Sequence, residues 1–157
     1  MSHFLGCINM NVFKCIICND YTVARAQTQM VRVKSNGVHM IGIMLIANVL
    51  SACGLYIIYF LLNNGRNDIY YILNELHYWE VAGRVGIIMI LAMVYLIAFA
   101  AFGGKQYFLE TINEFISKDI ATQEAISRKG SRVFYGSLLV FFFISGTLFY
   151  LVKVAGF

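Results

Sequence analysis

The sequence predicts an all-α, polytopic membrane protein with three transmembrane helices, an outer interfacial helix and a cytoplasmic amphipathic helix. Three observations predict it. The 157-residue chain is 60% hydrophobic and 13% charged, where an ordinary soluble domain has about 45–50% and about 25%. A soluble globule of this size could not hide so much apolar surface. Residues 38–62, 85–104 and 133–152 contain no Lys, Arg, Asp or Glu. Each run reaches the roughly 20 residues, rising about 1.5 Å apiece, that cross a hydrocarbon core about 30 Å thick. The runs are continuously apolar, whereas a barrel strand alternates apolar and polar residues over about ten positions.

Residues 1–37 form the N-terminal segment. It lacks a basic start followed by an apolar run, so no cleavable signal peptide is expected. Met30 offers an alternative start, and Ser2 excludes the N-myristoylation pattern. Cys7, Cys15, Cys18 and His3 could surround zinc: Cys15 and Cys18 have the right local spacing, but structural zinc sites use two paired elements, and the second pair would have to be His3 and Cys7. The expectation is no metal and no cofactor. The thiols stay reduced, with Val12, Phe13, Ile16 and Ile17 resting on the membrane surface.

Residues 38–62 are the first span. The outer loop, 63–84, contains Ile69, Ile72, Leu73 and Leu76 at helical spacing behind a capping Asn67 or Asp68. Tyr70, Tyr71, Tyr78 and Trp79 suit an interfacial belt. Residues 85–104 are the second span. In the following segment, 105–132, Leu109, Ile112, Ile116 and Ile120 advance by three, four and four, one face of a helix. Glu114 precedes Lys118 by four and Glu124 precedes Arg128 by four, the favourable order for helix pairs. The second span is therefore expected to continue into this helix, which turns near Gly130. Residues 133–152 are the third span and 153–157 the outer tail. The chain contains no proline, so the spans should lack proline kinks.

Basic residues set the orientation. Lys14, Arg25, Arg32 and Lys34 precede the first span, and Lys105, Lys118, Arg128, Lys129 and Arg132 lie between the last two. The other compartment holds only Arg66, Arg84 and Lys153. The N-terminus and second loop are thus expected in the cytoplasm, with the C-terminus outside an inner (cell) membrane. The net charge of +4 belongs mostly to this asymmetry. It points to membrane lipid rather than nucleic acid.

Ionisable groups inside spans usually mark ion paths or proton relays. These three runs have none, which disfavours a proton-coupled transporter or a charged-ring channel. His39 and His77 fall on opposite sides of the bilayer and cannot ligate one haem together. Small and polar residues instead gather on the first span. Ala47, Ser51, Gly54 and Ile58 share a face, with Asn48 beside them, and small residues let helices approach closely in lipid.

Catalytic patterns are sparse. There is no phosphate loop ending in Lys-Ser or Lys-Thr, no His-Glu-x-x-His helix and no Gly-x-Ser-x-Gly. Glu110, Thr111, Ile112 and Asn113 resemble the start of the catalytic stretch of the small prokaryotic diacylglycerol kinases. That resemblance implies an acid four residues after the asparagine, where this chain has Ser117. The stretch also falls beyond the second span rather than within its end. The chain departs from the family at both points.

The expected function is therefore non-enzymatic: binding another integral membrane protein, or a second copy, by helix packing. Ala47, Asn48, Ser51 and Gly54 would form one contact face, and Leu109, Ile112, Ile116 and Ile120 a second. Accessory subunits have this build, as do proteins that block an incoming toxin, plasmid or phage. The rivals are a homo-oligomeric pore lined by Asn48, Ser51 and Thr147, and, more remotely, a membrane-lipid enzyme.

Overall fold

The computed structural model describes residues 10–26, 33–64 and 80–154. Within them the protein is all-α, with five helices: α1 (Val12–Ala26), α2 (Val33–Asn64), α3 (Glu80–Phe102), α4 (Lys105–Ile116) and α5 (Ile120–Lys153). Three are long and apolar enough to cross a membrane: 36–63 within α2, 84–102 within α3, and α5. The chain has the build of a multi-pass membrane protein. The expected outer helix, with its tyrosines and Trp79, lies outside the described residues, as do His3, Cys7, Met30 and His77.

The helix α2 is the hub, with α3 and α5 packing on it. Among the described residues α3 and α5 share no extended contact with each other. Close approach needs room, and glycines supply it. A Cβ on Gly54 would lie 2.7 Å from Ile144 of α5, and one on Gly42 would lie 2.6 Å from the Tyr95 ring of α3.

The second span does not run on into the next helix. Gly103 and Gly104 break it. The Gly103 amide still bonds to the Phe99 carbonyl at 2.8 Å, and a side chain there would strike that same oxygen. Gly104 is extended and caps α4. Nor does the chain turn near Gly130. It turns at residues 117–119, where Asp119 caps α5 by accepting from the Thr122 amide at 3.0 Å. From there α5 runs unbroken for 34 residues, about 51 Å. Its first 13 residues, about 20 Å, project beyond the apolar run and wall a cap built with α1 and α4. Glycine read as a helix stop here serves a different purpose: a Cβ on Gly130 would lie 2.5 Å from the Cys15 carbonyl carbon and 2.9 Å from the Ile16 nitrogen. The bare backbone is what lets α1 cross α5.

Candidate functional site

Two regions hold the residues of interest: the cap and the faces of the spans. In the cap, Ile16 and Ile17, expected to rest on the membrane surface, are buried against protein, and Val12 and Phe13 are partly buried. Cys15, Ile16, Ile17, Cys18 and Asn19 are all buried, and five consecutive residues at about 100° each cover more than a full turn. The middle of the helix is therefore enclosed on every side. Ile16 and Ile17 join Ile41, Ile112 and Phe134, while Cys15 and Cys18 pack with Phe115 and Ile126. Gly37 admits the α1 backbone on the α2 side, where a Cβ would lie 3.1 Å from Ile17 Cα.

Polar contacts lock the cap. Lys14 Nζ donates to Glu114 Oε2 at 2.7 Å, which raises the lysine's pKa. Glu114 thus pairs across to α1 rather than with Lys118, which lies past the end of α4 in the turn. Ser127 Oγ donates to Asn19 Oδ1 at 3.1 Å. Burial pushes the Cys18 thiol up to about 12 and raises Cys15, although Lys129 works against the latter. A thiol so protonated is a poor nucleophile and a poor metal ligand. Among the described residues no three His, Cys, Asp or Glu side chains gather as metal ligands would. Gln106 donates to Glu110 at 2.9 Å on the exposed side of α4.

The cap also divides the predicted apolar stripe. Ile112 is buried, while Leu109 and Ile116 are about half exposed. Ile120 opens the next helix and is 76% exposed. The buried side of α4 is Thr111, Ile112 and Phe115. Glu110 and Asn113 face outward from it.

The spans treat the small-residue face in a similar way. Ala47, Ser51 and Gly54 are buried within this chain, with Ile144 and Leu148 of α5 lying over Gly54. The Ser51 hydroxyl bonds back to the Ala47 carbonyl at 2.7 Å, and Thr147 bonds back to Phe143 at 2.9 Å. Asn48 differs: it is exposed, and among the described residues nothing hydrogen-bonds its side chain. On the α3 side His39 Nδ1 hydrogen-bonds the Tyr95 hydroxyl, and its ring stacks on Tyr95 and Phe99. The sequence reading missed this tie. A histidine and a tyrosine facing each other on two apolar runs was the available signal.

Compared with known protein families, curated proteins and solved structures, the chain matches none.

Proposed function

We propose that this chain is a non-enzymatic, multi-pass protein of a cell (inner) membrane that acts by gripping another integral membrane protein. It would serve as an accessory subunit, or as an immunity or exclusion protein that blocks an incoming toxin, plasmid or phage. The excess of basic residues around the cap supports placing the cap and N-terminus in the cytoplasm. Three spans then put the C-terminus outside.

One observation carries the binding reading. Asn48 lies mid-way along the first span, turned away from the helices that cover Ala47, Ser51 and Gly54. Hydrocarbon offers a carboxamide no partner, and an unpaired one costs about 4–8 kcal/mol against an alkane. A polar group on a second helix relieves that cost. Leu109, Ile116 and Ile120 add an exposed apolar contact on the cap. The pore reading has weaker support, because the Ser51 and Thr147 hydroxyls are already taken up by their own backbone. The enzymatic reading also has weaker support, because Glu114 is held by Lys14 and the Cys15 and Cys18 thiols are buried.

The test is affinity purification in mild detergent, comparing the wild type with Asn48→Leu. The proposal expects a stoichiometric foreign membrane protein that the variant loses while still inserting. A partner retained at full yield by Asn48→Leu would remove this contact. Recovery of a single-species oligomer that conducts ions in liposomes would establish the pore instead.

A further inference from the structure

On α5, just before the apolar run begins, Arg128, Lys129 and Arg132 line a cleft of about 510 Å³ with Ala125 and Val133. These five positions share one side of the helix. At about 100° per residue the three cations span an arc of only about 100°. It lies opposite Ile126, Gly130 and Phe134, which are buried against the rest of the protein. The cleft therefore opens outward from the fold.

The cations are uncompensated. Among the described residues the ion pair is Lys14 with Glu114, and no carboxylate lies within salt-bridge distance of Arg128, Lys129 or Arg132. Glu124 stands one turn before Arg128 yet does not pair with it. Three like charges crowded on adjacent turns repel one another unless an anion joins them. Their height on the helix identifies that anion. α5 is continuous from Arg128 into the run 133–152, so at about 1.5 Å per residue all three lie within about 8 Å of the first apolar turn. That is the headgroup level of a bilayer, which extends about 5–8 Å beyond the hydrocarbon on each side. Ala125 and Val133 give the cleft apolar edges, and Val133 already belongs to the apolar run.

We infer that this cleft is a binding site for the phosphate of an anionic phospholipid, held by Arg128, Lys129 and Arg132. A zwitterionic lipid brings its own ammonium and leaves the three charges less neutralised, so a net negative headgroup is preferred. The site is separate from Asn48 and does not depend on the partner reading.

The test uses the full chain in mild neutral detergent, offered equal amounts of phosphatidylglycerol and phosphatidylcholine. Retained lipid is counted by native mass spectrometry. The wild type should keep phosphatidylglycerol at least about tenfold over phosphatidylcholine, and each of R128Q, K129Q and R132Q should cut that retention about fivefold. The charge-preserving R128K and R132K should retain it. K153Q, at the far end of α5, should change nothing, and circular dichroism should stay constant across the set. Equal retention of the two lipids would overturn the site. So would a triple Gln variant that holds phosphatidylglycerol as the wild type does, or a K153Q variant that loses as much as the triple. Displacement of the lipid by millimolar inorganic phosphate would overturn it too, in favour of a free-anion site.

Discussion

The cap and the second span invert the usual relation between apolarity and burial. α1 carries Lys14, Asn19, Asp20 and Arg25, yet its middle is buried on every side. The most apolar span, 84–102, buries only Ala98 within the protein, leaving Ile87, Ile88, Met93, Leu96 and Ile97 exposed. On the proposed placement, with the cap in water and the spans in lipid, each is solvated by a different medium. A cap in water must cover its apolar groups with protein. A span in lipid gains little from doing so, because the acyl chains are as apolar as its side chains. Where the spans do touch, the contacts are made at small residues and polar groups: Gly42, Gly54 and the His39–Tyr95 pair.

Two phenylalanines test this difference most strongly. Phe115 in the cap is 2% exposed, and Phe143 on α5 is 77% exposed. Phe115→Ala should cost about 3–5 kcal/mol, read as a lower unfolding midpoint in mild detergent. Its Cys15 and Cys18 thiols should become reactive to maleimide. Phe143→Ala should stay within about 0.5 kcal/mol of the wild type. Equal losses would mean that the outer face of α5 is packed and not lipid-facing.

A pair of glycines on α5 sharpens the point at lower cost. Gly130 meets the α1 backbone, whereas a Cβ on Gly136 would have nothing within 4 Å. Gly130→Ala pushes against main chain that cannot rotate away, and should destabilise by about 1–3 kcal/mol. Gly136→Ala should stabilise by about 0.5–1 kcal/mol through helix propensity. If both variants stabilise, α1 does not cross α5 at Gly130.

The same contrast explains what the sequence revealed. The spans were legible because twenty apolar residues without a charge have few other uses: the runs beginning at Val38 and Val133 reappear within α2 and α5, and all but the last two residues of the run beginning at Val85 reappear in α3. The cap was not. Ile16 and Ile17 beside Lys14 look like a surface helix, and the approach of Gly37 and Gly130 from two other helices, with Ile112 from α4, encloses them. Gly130 also illustrates an ambiguity of glycine itself, which ends helices and equally permits them to cross. The turn had a signal in Asp119, a good N-cap three residues before Thr122. The exposed position of Asn48 could not be read locally, because its neighbours Ala47 and Ser51 are buried and Gly54 on their face meets Ile144, far along the chain.

The cap's ion pair contributes less. Lys14 and Glu114 keep side-chain exposures of 28% and 40%, so a double-mutant cycle with Lys14→Met and Glu114→Gln should give a coupling of about 0.2–1 kcal/mol. Its pH dependence has a fixed sign. The folded lysine pKa is raised above 10.5, first by the bond to Glu114. The coupling is thus fully present below 10.5 and is lost as pH rises through the folded value. A coupling that grew with alkalinity would refute the pair.

Asp20 should give the smallest effect and in the opposite direction, because it is a polar group that the cap buries without fully satisfying. One carboxyl oxygen has no hydrogen-bond partner among the described residues. Burial raises its pKa above 3.8, opposed by a hydrogen bond from the Gly37 backbone. In both folded and unfolded chains the group is protonated well below 3.8 and incurs no charge penalty. As pH climbs through the raised folded value, the native state must hold a charge that the unfolded state exposes to water, and stability is lost. Asp20→Asn keeps the shape and removes that charge, so it should stabilise the protein at neutral pH by at most about 1 kcal/mol. The gain should vanish in acid, which unfolding midpoints measured across that range would detect. A loss of stability at neutral pH would mean that the carboxylate has a cationic partner, and that the cap satisfies Asp20 as fully as it satisfies Glu114.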